Sequence, residues 1–277
     1  MYTSIKFNII TAILLVSGLF GSSVALAQPS PAQLVEQLQR AGADYLSNIE
    51  RVAITIEHDF VGEETSYYTK EMIDGHPVLV PDDEDDYEMI GWVGYGSPEI
   101  VTFVGGASSI STERVDGKAM YRILVDDPAV FEQLDMNSDF ADDFDDEVEA
   151  EIKSAVAWLG QDDMLFYRME FTMANEQGAE FTMNMYMEDY QTFNGMPIAM
   201  STRMEIEGWQ NMVSDEEMAE GMEAMQEMMK ELENMPEAQR EMIMQQMGPQ
   251  IEQFKQMMEG DGPTGMTMRI TNVEINP

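Results

Sequence analysis

The chain has 277 residues, 53 of them Asp or Glu and only 14 Lys or Arg, for a formal net charge of −39 at pH 7. That balance lacks the basic footprint a phosphate backbone requires, which excludes nucleic acid as a partner and disfavours anionic membrane surfaces. Cysteine is absent, so disulfides, thiolate metal sites and thiol redox chemistry are excluded, and stability must come from the core alone.

The first 27 residues have the three zones of an export signal: Lys6, an apolar run from Ile9 to Phe20, and Ala25-Leu26-Ala27 before Gln28. The run is too short, and too soon interrupted by Gly and Ser, for a membrane span. No Cys follows the cleavage site to take a lipid anchor. The expectation is a periplasmic protein of one domain, residues 28–277, without stable membrane insertion after cleavage. Ser30-Pro31-Ala32-Gln33 then opens a helix, with Ser as N-cap, Pro at the first position and Gln at the third. Leu34, Val35, Leu38, Ala41 and Tyr45 form its apolar stripe.

Val52, Ile54 and Ile56 begin a strand. Tyr67 to Ile73 reads as another, turned by Asp74-Gly75 towards Val78 to Val80. Further strands are expected at Met89 to Tyr95, Ile100 to Val104 and Met120 to Val125. Residues 126–157 read as irregular or helical and very acidic. Met164 to Met173 follows as a strand, with Leu165, Tyr167, Met169, Phe171 and Met173 predicted on one face.

The clearest pattern comes next. Phe181, Met183, Met185 and Met187 alternate with Thr182, Asn184, Tyr186 and Glu188, while Met196, Ile198, Met200, Thr202, Met204 and Ile206 alternate with polar or small residues. Period 2 means half-buried strands, and Asn194-Gly195 between them is a strong signal for a two-residue hairpin turn. Such a turn pairs Phe193 with Met196, so both methionine rows lie on the same side of one sheet. A capping box at Ser214 to Glu217 then starts a helical insertion over 214–259, with Met218, Met222, Met225 and Met229 at helical spacing. Thr264 to Asn276 closes the chain as a strand. The expected class is α+β, mainly β: a curved antiparallel sheet whose apolar face is covered by the N-terminal helix and the Met-rich insertion, because a bare face of that size would aggregate.

This arrangement resembles the LolA-like superfamily of periplasmic outer-membrane lipoprotein carriers and sorting proteins. The resemblance lies in the leading helix, in Trp158-Leu159-Gly160-Gln161-Asp162, in Asp189-Tyr190-Gln191-Thr192-Phe193-Asn194-Gly195-Met196-Pro197, and in the ending Val273-Glu274-Ile275-Asn276. It implies an unclosed β-barrel with a helical lid over a hydrophobic cavity that receives acyl chains. The family's functional arginine has a candidate position at Arg51.

Twenty-three of the 28 methionines lie from Met164 onward. Methionine is unbranched and polarizable, so these rows suit ordinary packing, a pliable ligand cavity, or Cu(I) capture by thioethers. The candidate cavity residues are those named on the strands, Leu165 to Phe171, Phe181 to Met187 and Ile198, Met200 and Met204, with Met218, Met222, Met225 and Met229 above them. The acidic clusters Asp82 to Asp86 and Asp142 to Glu151 lack the spacing of a calcium loop and read as solvated surface, the kind a saline habitat favours. His58 and His76 belong to no catalytic or metal motif. The expectation is therefore a non-enzymatic carrier of a lipid or lipoprotein acyl chain, without cofactor or metal, exchanging with membrane-bound donor and acceptor proteins. An interaction protein with a filled core and Met-rich docking helices, and a Cu(I)-binding protein, are the alternatives.

A charge of −39 repels itself over a Debye length that shrinks from ~30 Å at 0.01 M salt to ~3 Å at 1 M. The thermal midpoint should rise across that range, as circular dichroism melts at increasing NaCl would show.

Overall fold

A computed structural model describes residues 28–58, 62–82, 96–134, 150–175, 177–208 and 264–277, together with Lys230. Its helices are α1 (Pro31–Tyr45), α2 (Pro98–Gly105) and α3 (Pro128–Gln133). The strands are β1 (Arg51–His58), β2 (Gly62–Ile73), β3 (His76–Pro81), β4 (Ser109–Val115), β5 (Lys118–Val125), β6 (Ala150–Gly160), β7 (Phe166–Asn175), β8 (Glu180–Phe193), β9 (Met196–Glu207) and β10 (Thr264–Ile275). They form one antiparallel sheet in the order β3-β2-β1-β10-β9-β8-β7-β6-β5-β4. The end strands β3 and β4 do not pair with each other, so the sheet is an unclosed barrel, mainly β with few helices, as the alternation predicts.

Local chemistry explains most of this layout. Strands β4 to β9 run as a meander, and β10 returns to lie between β9 and β1. The turns Asp74-Gly75, Asp116-Gly117 and Asn194-Gly195 all have positive φ at both positions, the geometry that matches strand twist in two-residue hairpins. At α1 the Ser30 hydroxyl accepts from the Gln33 amide, and the Gln33 side chain accepts from the Ser30 amide at 2.9 Å. Leu34 and Leu38 then face inward.

The structure corrects two expectations and adds a strand. The Ile100 to Val104 strand is instead α2: Ser97 caps it, Pro98 holds its first turn, and Ile100, Phe103 and Val104 bury one helical face. The stretch 126–157 is not irregular or helical throughout, because residues from Ala150 onward form β6, while α3 occupies Pro128–Gln133. Finally, β4 pairs with β5 through a hairpin that the polar sequence Ser109 to Val115 conceals. The expected strand at 89–95 and the helical insertion at 214–259 lie outside the described residues, Lys230 apart.

Two apolar clusters fill the inner face. The larger joins Leu34, Phe103 and Phe131 of the three helices to Ile123, Ala157, Met169, Phe171 and Met183 of the sheet. The smaller joins Leu46 and Ile49, just past α1, to Val52, Ile54, Met196, Ile198 and Met268. Helix α1 packs on α2 and β3, α2 on β5 and α3, and α3 on β6. The main helical cover therefore falls on β3, β5 and β6. Close approach is required at Gly106, where a Cβ would run into the Val130 side chain of α3.

Phe103 is fully buried in this helical layer. Phe103→Ala should lower unfolding stability by about 3–5 kcal/mol, measurable by urea denaturation.

Candidate functional site

Cross-strand register carries the inner face. Ile123 pairs with Ala157, Ala157 with Met169, Met169 with Met185, Met185 with Met204, and Met204 with Met266, one continuous row from β5 to β10. Burial changes along it. Ile123, Ala157 and Met169 are fully buried, whereas Met185, Met204 and Met266 are half-buried. The change begins at β8, beyond the strands on which α2 and α3 rest. Met200, Met204 and Ile206 flank the junction of the two clusters, Met200 packing on the smaller and the other two on the larger.

The sequence-derived candidates divide accordingly. Phe171, Phe181, Met183 and Met187 are buried in the larger cluster with Met169, and Ile198 is buried in the smaller. Met185, Met200 and Met204 form the half-buried group. Leu165 is buried just before β7, and its carbonyl accepts from the Gly160 amide at 2.9 Å. Tyr167 does not join the inner face. Leu159 pairs with Phe166 while Trp158 pairs with Arg168, so Tyr167 is the extra residue of a β-bulge and turns to the other side. Arg51 is exposed, paired with Asp82 and set over the Tyr67 ring, away from the row of buried Val52 and Ile54. Met218, Met222, Met225 and Met229 lie outside the described residues.

The outer face has a second feature that single-strand reasoning misses. Arg122, Trp158, Arg168, Tyr186 and Arg203 are direct neighbours across β5, β6, β7, β8 and β9. Their charges and rings stack in alternation: Arg122 lies 5.8 Å and Arg168 4.6 Å from Trp158, while Arg168 lies 5.4 Å and Arg203 4.2 Å from Tyr186. Carboxylates fix the ladder. Arg168 donates to Glu170 and to the buried Asn184, both at 2.7 Å, and Arg203 pairs with Glu188 and Glu205. The Trp158 indole donates to Glu113. The even spacing opposite the methionines was available in the sequence, but which residues become neighbours depends on register.

Beside the ladder lies a groove of about 640 Å³, lined among others by Glu113, Lys118, Trp158, Tyr167, Tyr186 and Tyr190. Lys118 donates to Asp163 at 2.8 Å and to the Tyr167 hydroxyl, which itself donates to Asp163 at 2.8 Å. Tyr45 of α1 donates to the Asp163 carbonyl at 2.6 Å, tying the helix end to the β6–β7 turn. Gly160 must remain bare there, since a Cβ would strike the Asp163 carboxylate. Tyr190 donates to the Phe166 carbonyl at 2.5 Å and stands 5.2 Å from the Tyr167 ring.

No protein-family model matches the sequence, and no curated protein matches it. Among solved structures, similarity extends to a DUF1329 family protein from Desulfovibrio piger, at 9% identity and TM-score 0.35, covering 90% of this chain and 94% of that one. A LolA superfamily protein from Nitrosomonas europaea is similar at 10% identity and TM-score 0.33, covering 90% and 94%. A putative outer membrane lipoprotein-sorting protein domain from Vibrio parahaemolyticus is similar at 9% identity and TM-score 0.34, covering 87% and 93%. Among the described residues, no helix is long and apolar enough to cross a membrane.

Burial holds the Tyr190, Tyr167 and Tyr45 hydroxyls above their ordinary pKa of 10.0. For Lys118 burial acts downward, but hydrogen bonds with Asp163 and Tyr167 outweigh it and raise the value above 10.5. Each group thus holds its proton more tightly when folded. The stability they contribute is complete below the ordinary values and is lost as pH rises through the raised ones. The urea midpoint should fall above pH 10.0, and it should fall less steeply in Tyr190→Phe.

Proposed function

We propose that this chain is a non-enzymatic periplasmic carrier that shields a lipid or a lipoprotein acyl chain against the inner face of β8, β9 and β10. The observation that carries this reading is the break in burial along the Ile123–Met266 row. Packing alone accounts for Met169 and Met183, which touch the helical layer's cluster. It leaves Met185, Met204 and Met266 half-buried in one register-aligned row, with Met200 half-buried four residues from Met204 along β9.

Such a strip suits an acyl chain for two reasons. Each methylene removed from water contributes ~0.8 kcal/mol, so a long chain gains from even partial cover. Thioether side chains, with three rotatable bonds, adjust to chains of different length and unsaturation without a fixed pocket shape. Nothing polar on the strip offers a chemical step; the mechanism is exclusion of water, with membrane-bound donor and acceptor proteins loading and unloading the chain.

A titration with a fluorescent long-chain fatty acid tests the reading. Met185→Asp and Met200→Asp should each weaken uptake by about tenfold or more, the cost of desolvating a carboxylate beside an acyl chain. Met72→Asp, on an exposed side chain of β2, should leave uptake unchanged. Equal uptake by all three variants, or none by the parent chain, would contradict the assignment.

A further inference from the structure

The two edges of the sheet are treated differently. Edge strand β3 carries Pro77 and Pro81, which cannot donate to an added strand, and α1 packs against it. Both are known protections of a sheet edge. Among the described residues, edge strand β4 has neither a proline nor a helix packed closely against it. Its sequence Ser109 to Val115 contains no proline, its register with β5 is unbroken, and Ser109, Thr112, Glu113 and Arg114 are exposed. Among the described residues, no backbone hydrogen bond is made along its outer edge.

Register also fixes which groups β5 leaves unused. Val115 and Lys118 flank the two-residue Asp116-Gly117 turn, so they form a hydrogen-bonded pair, and alternate residues of β4 follow suit. The backbone groups of Glu113, Ser111 and Ser109 are thereby spent on β5, and those of Ile110, Thr112 and Arg114 point away from the sheet. On the outer face the neighbouring side chains are Ser111, Glu113 and Val115, with Asp116 at the turn. Glu113 and Asp116 also line the mouth of the groove beside the ladder.

We infer that β4 is a docking edge for an extended segment of a partner polypeptide, added as an eleventh, antiparallel strand and carrying basic side chains on its outer face. Main-chain hydrogen bonds to Ile110, Thr112 and Arg114 supply the affinity, and alternate side chains the selectivity. Charge decides the chemistry of the occupant. On the outer face of this edge the exposed carboxylates of Glu113 and Asp116, in a chain of net charge −39, attract a basic strand and repel a second copy, while the strand's one cation, Arg114, falls on the opposite face and donates to the Gly117 carbonyl. An apolar side chain beside Ile110, itself part of the larger core cluster, would extend the inner face.

Hydrogen exchange on the full chain tests this, with a short capped peptide of alternating valine and lysine as probe and its valine–aspartate counterpart as control. The lysine peptide should slow exchange at Ile110, Thr112 and Arg114 by about tenfold or more, and the aspartate peptide should not. Thr112→Pro removes an outward amide that β5 does not use, so it should abolish protection while leaving the melting midpoint unchanged. Glu113→Lys should shift the preference towards the aspartate peptide. Absence of protection, equal protection by both peptides, or protection without peptide that grows with protein concentration would each overturn the inference. None of these readouts depends on the acyl-chain strip.

Discussion

The register of the β8–β9 hairpin is the constraint on which both faces of the sheet depend. Asn194-Gly195 turns the chain in two residues, pairing Phe193 with Met196 and, further along, Met185 with Met204 and Tyr186 with Arg203. Side chains alternate with a period of two, so a slip of one residue would exchange the faces of a whole strand. Met204 and Ile206 would enter water, and Arg203 would enter the apolar interior without Glu188 and Glu205. The cost of burying an unpaired guanidinium far exceeds any gain from the turn itself. The turn and the two faces therefore support one another.

Energetically the faces are unequal. Inner-face side chains such as Met169, Phe171 and Met183 are removed from water almost completely, and each contributes about 1.5–3 kcal/mol. On the outer face, cation–π contacts at such partly exposed sites contribute ~0.5–1 kcal/mol each, and exposed ion pairs contribute less. The ladder's four contacts together thus rival a single well-buried aromatic. Its larger consequence is one of arrangement. In a chain with so few cations, three arginines stand in one row across the sheet, and two of them, Arg168 and Arg203, are held by carboxylates.

Legibility in the sequence followed the strength of the local signal. The capping box of α1 and the alternation of β8 and β9 were plain because each is a short-range pattern with one structural solution. The run from Ile100 to Val104 was ambiguous: a short apolar segment suits a buried strand or a helix face, and the Ser97-Pro98 start decides for helix. Strand β6 was hidden because its Ala-rich centre follows a strongly acidic stretch. The displacement of Tyr167 could not be read at all, since a bulge is a property of two strands rather than one. The same holds for the candidate strip. Sequence placed the methionines on a common face, but which of them stay partly open depends on where α1, α2 and α3 come to rest.

The account's central claim is that the half-buried methionines, rather than the fully packed ones, receive the apolar guest. Selective ¹³C labelling of methionine methyl groups, followed by NMR titration of the full chain with palmitate, addresses it most directly. The account predicts shifts concentrated at Met185, Met200, Met204 and Met266, with Met72 and the helix-packed Met169 unmoved. Shifts at Met72 alone, or a spectrum indifferent to palmitate, would contradict it.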